Sequence, residues 1–406
     1  MRGKGSSSLL IVVLGLLPFV MVLGNSMLIP ILPNMQEDMN ITSFQSGLIL
    51  TVFSIPAALM IPIIGFLSDR IGRKIVVIVS LSLVVIGSIL SALAGTMTSG
   101  DSAFQLVLVS RVIQGIGAGG TAPLAMVMIA DLFEGKVRSK ALGSIEVFNG
   151  IAKVISPILG ALAAIYFWYS AFYLYSTVAL IVCLCIWFFI EEGEGRKSKE
   201  RIPVYMKRMI HVLKREFHWL MPVFIAGGIG LFLLFGMLFY LSYEIERIFQ
   251  MDGFLKGSFF AIPLGALTIV SFWTGRQIGS DIEKGKRFMF LGLSILSIGF
   301  ACLIFFHQLY YLILFLTIAS IGLGLFLPCA NTLITSSVDQ NERGLIVSFY
   351  GMVRFLGVAL GPMVFSLWME AVVDMFIKSL VLIIIVATWN YFVLFPKPAQ
   401  RVHTNK

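Results

Sequence analysis

Apolar residues gather along this chain in twelve runs, near 9–32, 45–66, 75–95, 104–130, 141–165, 171–190, 219–243, 256–275, 288–306, 310–335, 344–369 and 376–396, separated mostly by short polar breaks. A bilayer core about 30 Å thick takes roughly 20 apolar residues in a helix, because only intrahelical bonding satisfies every backbone group in lipid. The pattern predicts an all-α integral membrane protein with twelve transmembrane helices. The first run follows Arg2 and Lys4, as a signal peptide would, but it is longer than a signal core and eleven more runs follow. It is expected to stay attached.

One polar stretch is long, from Glu191 to His218, and it separates six runs from six. The expected organisation is a six-helix bundle over 1–190, a cytoplasmic linker over 191–218, a second six-helix bundle over 219–396 and a cytoplasmic tail over 397–406. Within the linker, Tyr205 to Phe217 alternates apolar and basic residues at helical spacing. It reads either as an amphipathic helix lying on anionic lipid headgroups or as a solvated linker helix.

The two halves repeat one another. A shift of 205 residues pairs Ile116, Gly117, Gly119, Pro123, Ala125, Ile129, Arg138 and Pro157 with the identical Ile321, Gly322, Gly324, Pro328, Ala330, Ile334, Arg343 and Pro362, without a gap. Chance similarity between apolar segments would match scattered Leu and Ile, whereas matched glycines and prolines mark backbone geometry. Two parallel six-helix repeats are the expected fold, and such repeats rock about a site near the bilayer midplane.

Composition agrees, with 58% apolar and only 13% charged residues, where soluble domains run at about half and a quarter. The net charge of +9 reflects 24 of 30 basic residues falling in segments that are cytoplasmic if the N-terminus is inside. Only Arg247, Lys256 and Lys378 fall in external loops, and both termini are expected in the cytoplasm. Nucleic acid is not needed to explain this charge. No H-E-x-x-H, G-x-S-x-G, Walker sequence or metal-ligand cluster appears, so neither an enzyme, a cofactor, a metal nor direct ATP use is expected. The cysteines, Cys183, Cys185, Cys302 and Cys329, lie in apolar runs without paired spacing and read as packing residues. A membrane sensor is the remaining rival to a transporter.

Charges inside the runs carry the mechanistic signal, since each costs at least about 2.5–3.5 kcal/mol on insertion scales and is kept for a reason. There are four of them, Arg111, Glu146, Lys153 and Arg354. Glu146 and Lys153 are seven residues apart in the fifth run and so share a face, about 10 Å apart along the axis. Glu146 reads as a proton-carrying carboxylate, its proton affinity set by burial against the nearby bases Lys153 or Arg111, or as half of a permanent ion pair. Arg354 reads as a binder of an anionic group on the substrate or as a cap on helix carbonyls. Asn25 and Asn331 are candidates for the substrate cavity wall. Three bases and one acid favour neutral, zwitterionic or anionic cargo.

Between the second and third runs lies Gly65-Phe-Leu-Ser-Asp-Arg-Ile-Gly-Arg-Lys74, which resembles the G-x-L-x-D-R-x-G-R-K signature of the major facilitator superfamily at every defining position. Leu23 to Pro33 fits l-g-x-x-x-x-x-P-x-x-P, and Arg111-Val-Ile-Gln-Gly-Ile-Gly-Ala-Gly119 fits the fourth-helix motif of the twelve-helix drug/proton antiporters in that superfamily. The helix-five motif departs from G-x-x-x-G-P-x-x-G-G. Here it reads Ala152-Lys-Val-Ile-Ser-Pro-Ile-Leu-Gly-Ala161, so Ser156, Pro157 and Gly160 keep close packing possible while the exporter signature is incomplete.

The resemblance implies multidrug efflux in exchange for protons, with a small-molecule substrate and a monomer in the bacterial inner or plasma membrane. Export of an anionic metabolite or lipid is the alternative. It also implies proton coupling through Arg111 and a latch of the outward-open state formed by Gly65, Asp69, Arg70, Gly72, Arg73 and Lys74. In that latch Asp69 would accept from amides at a neighbouring helix N-terminus, and the three bases would hold the loop to membrane lipid.

Overall fold

A computed structural model describes residues 4–191, 210–249, 253–279, 281–337 and 340–395. Most of the polar linker and the tail 397–406 lie outside the described residues, and with them most of the expected amphipathic helix. Among the described residues, twelve helical spans are long and apolar enough to cross a membrane: Ser8–Met39, Ser43–Ile71, Arg73–Met97, Gly100–Leu132, Lys140–Ala163, Ser170–Phe189, Phe217–Ile248, Phe254–Ile278, Ile282–Phe305, Leu309–Ser337, Gly344–Trp368 and Val372–Leu394. They are spans 1 to 12 below. Spans 1 and 12 begin and end on one side, here the terminal face. The opposite side is the far face.

Local chemistry sets the breaks. Span 1 is helical to Ser26, tightens into a 3₁₀ turn at Ile29–Ile31 and resumes at Leu32, because Pro30 and Pro33 lack the amides that a continuous helix needs. Span 2 starts on a capping box in which the Thr42 hydroxyl accepts from the Gln45 amide at 3.2 Å and the Gln45 side chain accepts from the Thr42 amide at 2.8 Å. It ends at Gly72, whose φ of +124° turns the chain directly into span 3.

Within each half the helices pack in matching pairs, span 3 on 4 and span 9 on 10, span 2 on 4 and span 8 on 10. The repeated glycines are the reason. Gly117 lies against the Ser80 carbonyl of span 3, and Gly322 against the Gly292 carbonyl of span 9. Gly119 lies against Ala57 of span 2, and Gly324 against Leu267 of span 8. A side chain at any of the four would meet backbone, so the repeat in sequence is a repeat in packing.

The halves meet along two seams, span 2 on span 11 and span 5 on span 8. At the far-face end both are closed. The Thr51 hydroxyl donates to the Ala359 carbonyl at 2.6 Å, and Gly47 lies against the Pro362 carbonyl. Gly257 sits on the Pro157–Ile158 backbone, and behind it, within the first half, Gly160 sits on the Met27 carbonyl of span 1. Toward the terminal face both seams part. Gly65, Gly143, Gly275 and Gly344 continue the same helical stripes on spans 2, 5, 8 and 11, and none has an atom within 4 Å of where a side chain would start. The molecule is sealed at the far face and open at the terminal face.

Candidate functional site

The span 5 stripe runs from Glu146 through Asn149, Gly150 and Lys153 to Ser156, Pro157 and Gly160. Its outer end is structural. The Ser156 hydroxyl is spent on the Ala152 carbonyl of its own helix, Pro157 makes the close seam contact with Gly257, and Gly160 packs on Met27 of span 1. Its inner end faces the opening. Glu146 is exposed, Lys153 is partly buried, and the Asn149 side-chain oxygen is buried without a hydrogen-bond partner.

Across the seam, span 11 contributes Arg354. Its guanidinium stands over the Tyr350 ring at 5.5 Å, and its Nε is buried without an acceptor. Lys153 lies within electrostatic reach of both Arg354 and Glu146. Among the described residues none of these three charges makes an ion pair within 4 Å, so no ion pair of Glu146 locks span 5 to its neighbours in this state. Asn331 is partly exposed on span 10, with its carbonyl accepting from Thr335 at 2.8 Å.

Arg111 and Asn25 sit elsewhere. Arg111 is wholly buried, donating from Nη1 to the Gly24 carbonyl at 2.8 Å and the Gln114 side chain at 2.7 Å, and from Nε to the Ile49 carbonyl at 3.0 Å. Its Nη2 reaches Asn25 Oδ1 at 3.4 Å, and its face covers the Phe53 ring at 4.1 Å. The Gly24 carbonyl is available because the chain tightens there, with Leu28 donating to Asn25 instead. Asn25, expected on the cavity wall, belongs to this cage, and Arg111 ties spans 1, 2 and 4 together rather than standing beside Glu146.

The loop signature makes several contacts within the first half. Arg73 pairs with Asp69 at 3.3 Å and with Asp131 at the end of span 4, and donates to the Val127 carbonyl at 2.9 Å. Lys74 reaches the Trp187 carbonyl at 2.8 Å, and Arg70 covers the Phe66 ring at 4.7 Å. Asp69, expected to accept from a helix N-terminus, here pairs with Arg73 one turn along. Asp131 escaped sequence reasoning, although an acid closing the apolar run Ala122–Leu132 was its visible sign.

Lys256 is a clearer miss. Expected in an external loop, it lies in the first turn of span 8 with only 1% of its surface exposed. Its Nζ donates to Asn34 of span 1 at 3.1 Å and pairs with Glu246 of span 7. The scarcity of basic residues on that side of the sequence was the only available signal.

With this geometry in place, the comparisons are specific. The Major Facilitator Superfamily profile matches residues 14–362 and 281–406. The chain belongs to that superfamily and is a multi-pass membrane transporter, not an enzyme. It is 40% identical over 363 residues to the bacillibactin exporter of Bacillus subtilis strain 168, covering 89% of this chain and 90% of that one. It is 26% identical to the multidrug transporter protein MdtP of the same strain, over 89% of this chain and 75% of that one. A bacterial homolog of the human lysosomal transporter Spinster, solved inward-facing and unoccupied, superposes with a TM-score of 0.78 at 17% identity, over 96% and 97% of the two chains.

Proposed function

We propose that this transporter exports an anionic small molecule of the kind its bacillibactin-exporting relative carries, in exchange for protons, by alternating access. The carrying observation is the pair Lys153 and Arg354, one from each half, without ion-pair partners at the open cavity. Two like charges held by different halves, within one turn of the level where the seams part, repel one another across the cavity and disfavour its occluded state. A cargo that places negative charge between them converts that repulsion into attraction, and closure follows binding. The buried Asn149 oxygen and Arg354 Nε then gain partners from polar groups of the cargo.

The terminal face is assigned to the cytoplasm on the excess of basic residues there. Cargo enters from that side with Glu146 ionised, leaves at the far face, and a proton taken up by Glu146 from outside accompanies the empty return. The division into bundles at 1–190 and 219–396 fits this motion, because only the two seams need to change. A second reading, efflux of amphipathic drugs, draws on the fourth-helix motif and the relatives named as multidrug transporters. Uptake of bacillibactin and of a lipophilic cation into inside-out vesicles, each with an imposed proton gradient, separates the two. Transport of bacillibactin that Lys153→Gln and Arg354→Gln both weaken supports the first, and transport of the cation alone supports the second.

A further inference from the structure

We propose that Lys256 is the pin of the far-face gate, holding the halves together through Asn34 until cargo-driven rearrangement pulls them apart. Lys256 belongs to the second half and is almost fully buried. A buried ammonium is stable only with acceptors around it. It has two, and they differ in a decisive way. Glu246 lies on span 7, in the same half, and moves with Lys256. Asn34 lies on span 1, in the other half, and is left behind when the far face opens.

The surrounding contacts identify this as the gate and not a chance pairing. The Ser242 hydroxyl donates to the Ile29 carbonyl at 2.8 Å, and the Tyr243 hydroxyl donates to Gln36 at 2.5 Å, both across the same boundary. The next residue, Gly257, lies on the Pro157–Ile158 backbone, one helical turn outward from Lys153 on span 5. All three hydrogen bonds accept at or beside the Pro30–Pro33 break in span 1, where the chain is turned and its polar groups are presented sideways. The gate is thus built on the prolines of span 1, and among the described residues its charged contact across the boundary is Lys256 to Asn34. Because Glu246 stays with it, Lys256 is never stripped of its counter-ion, and opening costs one hydrogen bond to a charged group, not a broken ion pair. A bond of that kind is worth a factor of about ten or more in the ratio of closed to open.

The test uses the full chain in lipid nanodiscs, with spin labels on cysteines replacing the exposed Glu37 and Ile248 on the far face, after Cys183, Cys185, Cys302 and Cys329 are replaced by serine. Asn34→Ala removes only the contact across the boundary and should raise the far-open population about tenfold. Lys256→Met should do the same, and the double variant no more than either alone, because both remove one interaction. Asn34→Asp should lengthen the closed lifetime and slow exchange of cargo from the far side. Thermal melting checks the fold, and if Lys256→Met does not fold, Asn34→Ala decides. Distance distributions that stay at wild type in Asn34→Ala, or effects of the two single variants that simply add, overturn the proposal.

Discussion

The Thr268 hydroxyl of span 8 points at the Gly150 carbonyl of span 5 from 3.5 Å, at the level where that seam stops being closed. Seven residues further toward the terminal face, Gly143 and Gly275 have no described atom of another helix within 4 Å of where a side chain would start. The opposite seam parts at the same depth, beyond Ile61 and Gly351, which are 3.9 Å apart when a side chain is built on the glycine. The level of Gly150 and Gly351 is therefore the pivot, and Lys153 and Arg354 lie one turn to its far side.

A pivot at that level predicts opposite disulfide behaviour at the two ends of the seams. Cysteines replacing Gly47 and Met363 should cross-link at rest, since a side chain built at Gly47 comes within 3.2 Å of the Met363 Cα. Cysteines replacing Gly143 and Gly275 should cross-link only when cargo closes the terminal face. Mass spectrometry of oxidised membranes reads both. Equal cross-linking of the two pairs without cargo would contradict a seam that parts at Gly150.

Lys153→Gln and Arg354→Gln should each weaken binding of an anionic cargo. A hydrogen bond to a charged group is worth about 1.5–3 kcal/mol, or roughly 10- to 150-fold in affinity. Arg354→Lys should recover only part of the loss, because an ammonium lacks the planar fork of the guanidinium. Vesicle uptake at graded bacillibactin concentrations measures it. An unchanged half-saturation in both glutamine variants would remove them from the cargo site.

Glu146→Gln should leave the fold intact, since the exposed side chain has no structural partner among the described residues. It should abolish uphill transport while sparing cargo exchange across vesicles, because an amide cannot take up and release the proton. Full proton-driven accumulation in Glu146→Gln would place the coupling group elsewhere.

Arg111 illustrates what sequence could and could not convey. Its burial and importance were legible, because an arginine in an apolar run must be satisfied from within. Its partners were not, since the carbonyls of Gly24 and Ile49 lie on other helices, more than sixty residues away in sequence, and the first is freed only where the end of span 1 tightens. The seams show the same division. Glycines and prolines repeating at 205 residues announced two equivalent halves, yet which end of each seam would be closed depends on conformation, and one sequence serves both states. Lys256 was misread because a lysine at the start of a span is ordinarily solvated, and only the fold brings Asn34 over it.

Arg111→Gln should accordingly destabilise the protein rather than alter coupling alone. It leaves the Gly24 and Ile49 carbonyls, both buried, without that donor, at about 1–3 kcal/mol each. Arg111→Lys should be intermediate, as one ammonium cannot reach three acceptors in a plane. Melting in detergent measures both. A glutamine variant as stable as wild type and uncoupled would assign Arg111 to proton transfer.

Asp69→Asn tests the latch against the state seen here. In this terminal-open state Asp69 is 47% exposed and, among the described residues, is paired four residues along its own chain with Arg73, an arrangement worth about 0.3–0.5 kcal/mol. Arg73 keeps Asp131 and the Val127 carbonyl regardless. The substitution should therefore cost this state almost nothing. If Asp69 caps a helix N-terminus of the other half when the terminal face closes, the far-open state loses about 0.3–2 kcal/mol, and the balance moves toward terminal-open by up to about thirtyfold. Labelling of a far-mouth cysteine should fall and turnover should slow, with cargo affinity from the terminal side unchanged. Asp131→Asn, which acts on Arg73 in the state observed here, should shift the balance the other way. Equal shifts in the same direction for the two variants would show a common structural role and no latch.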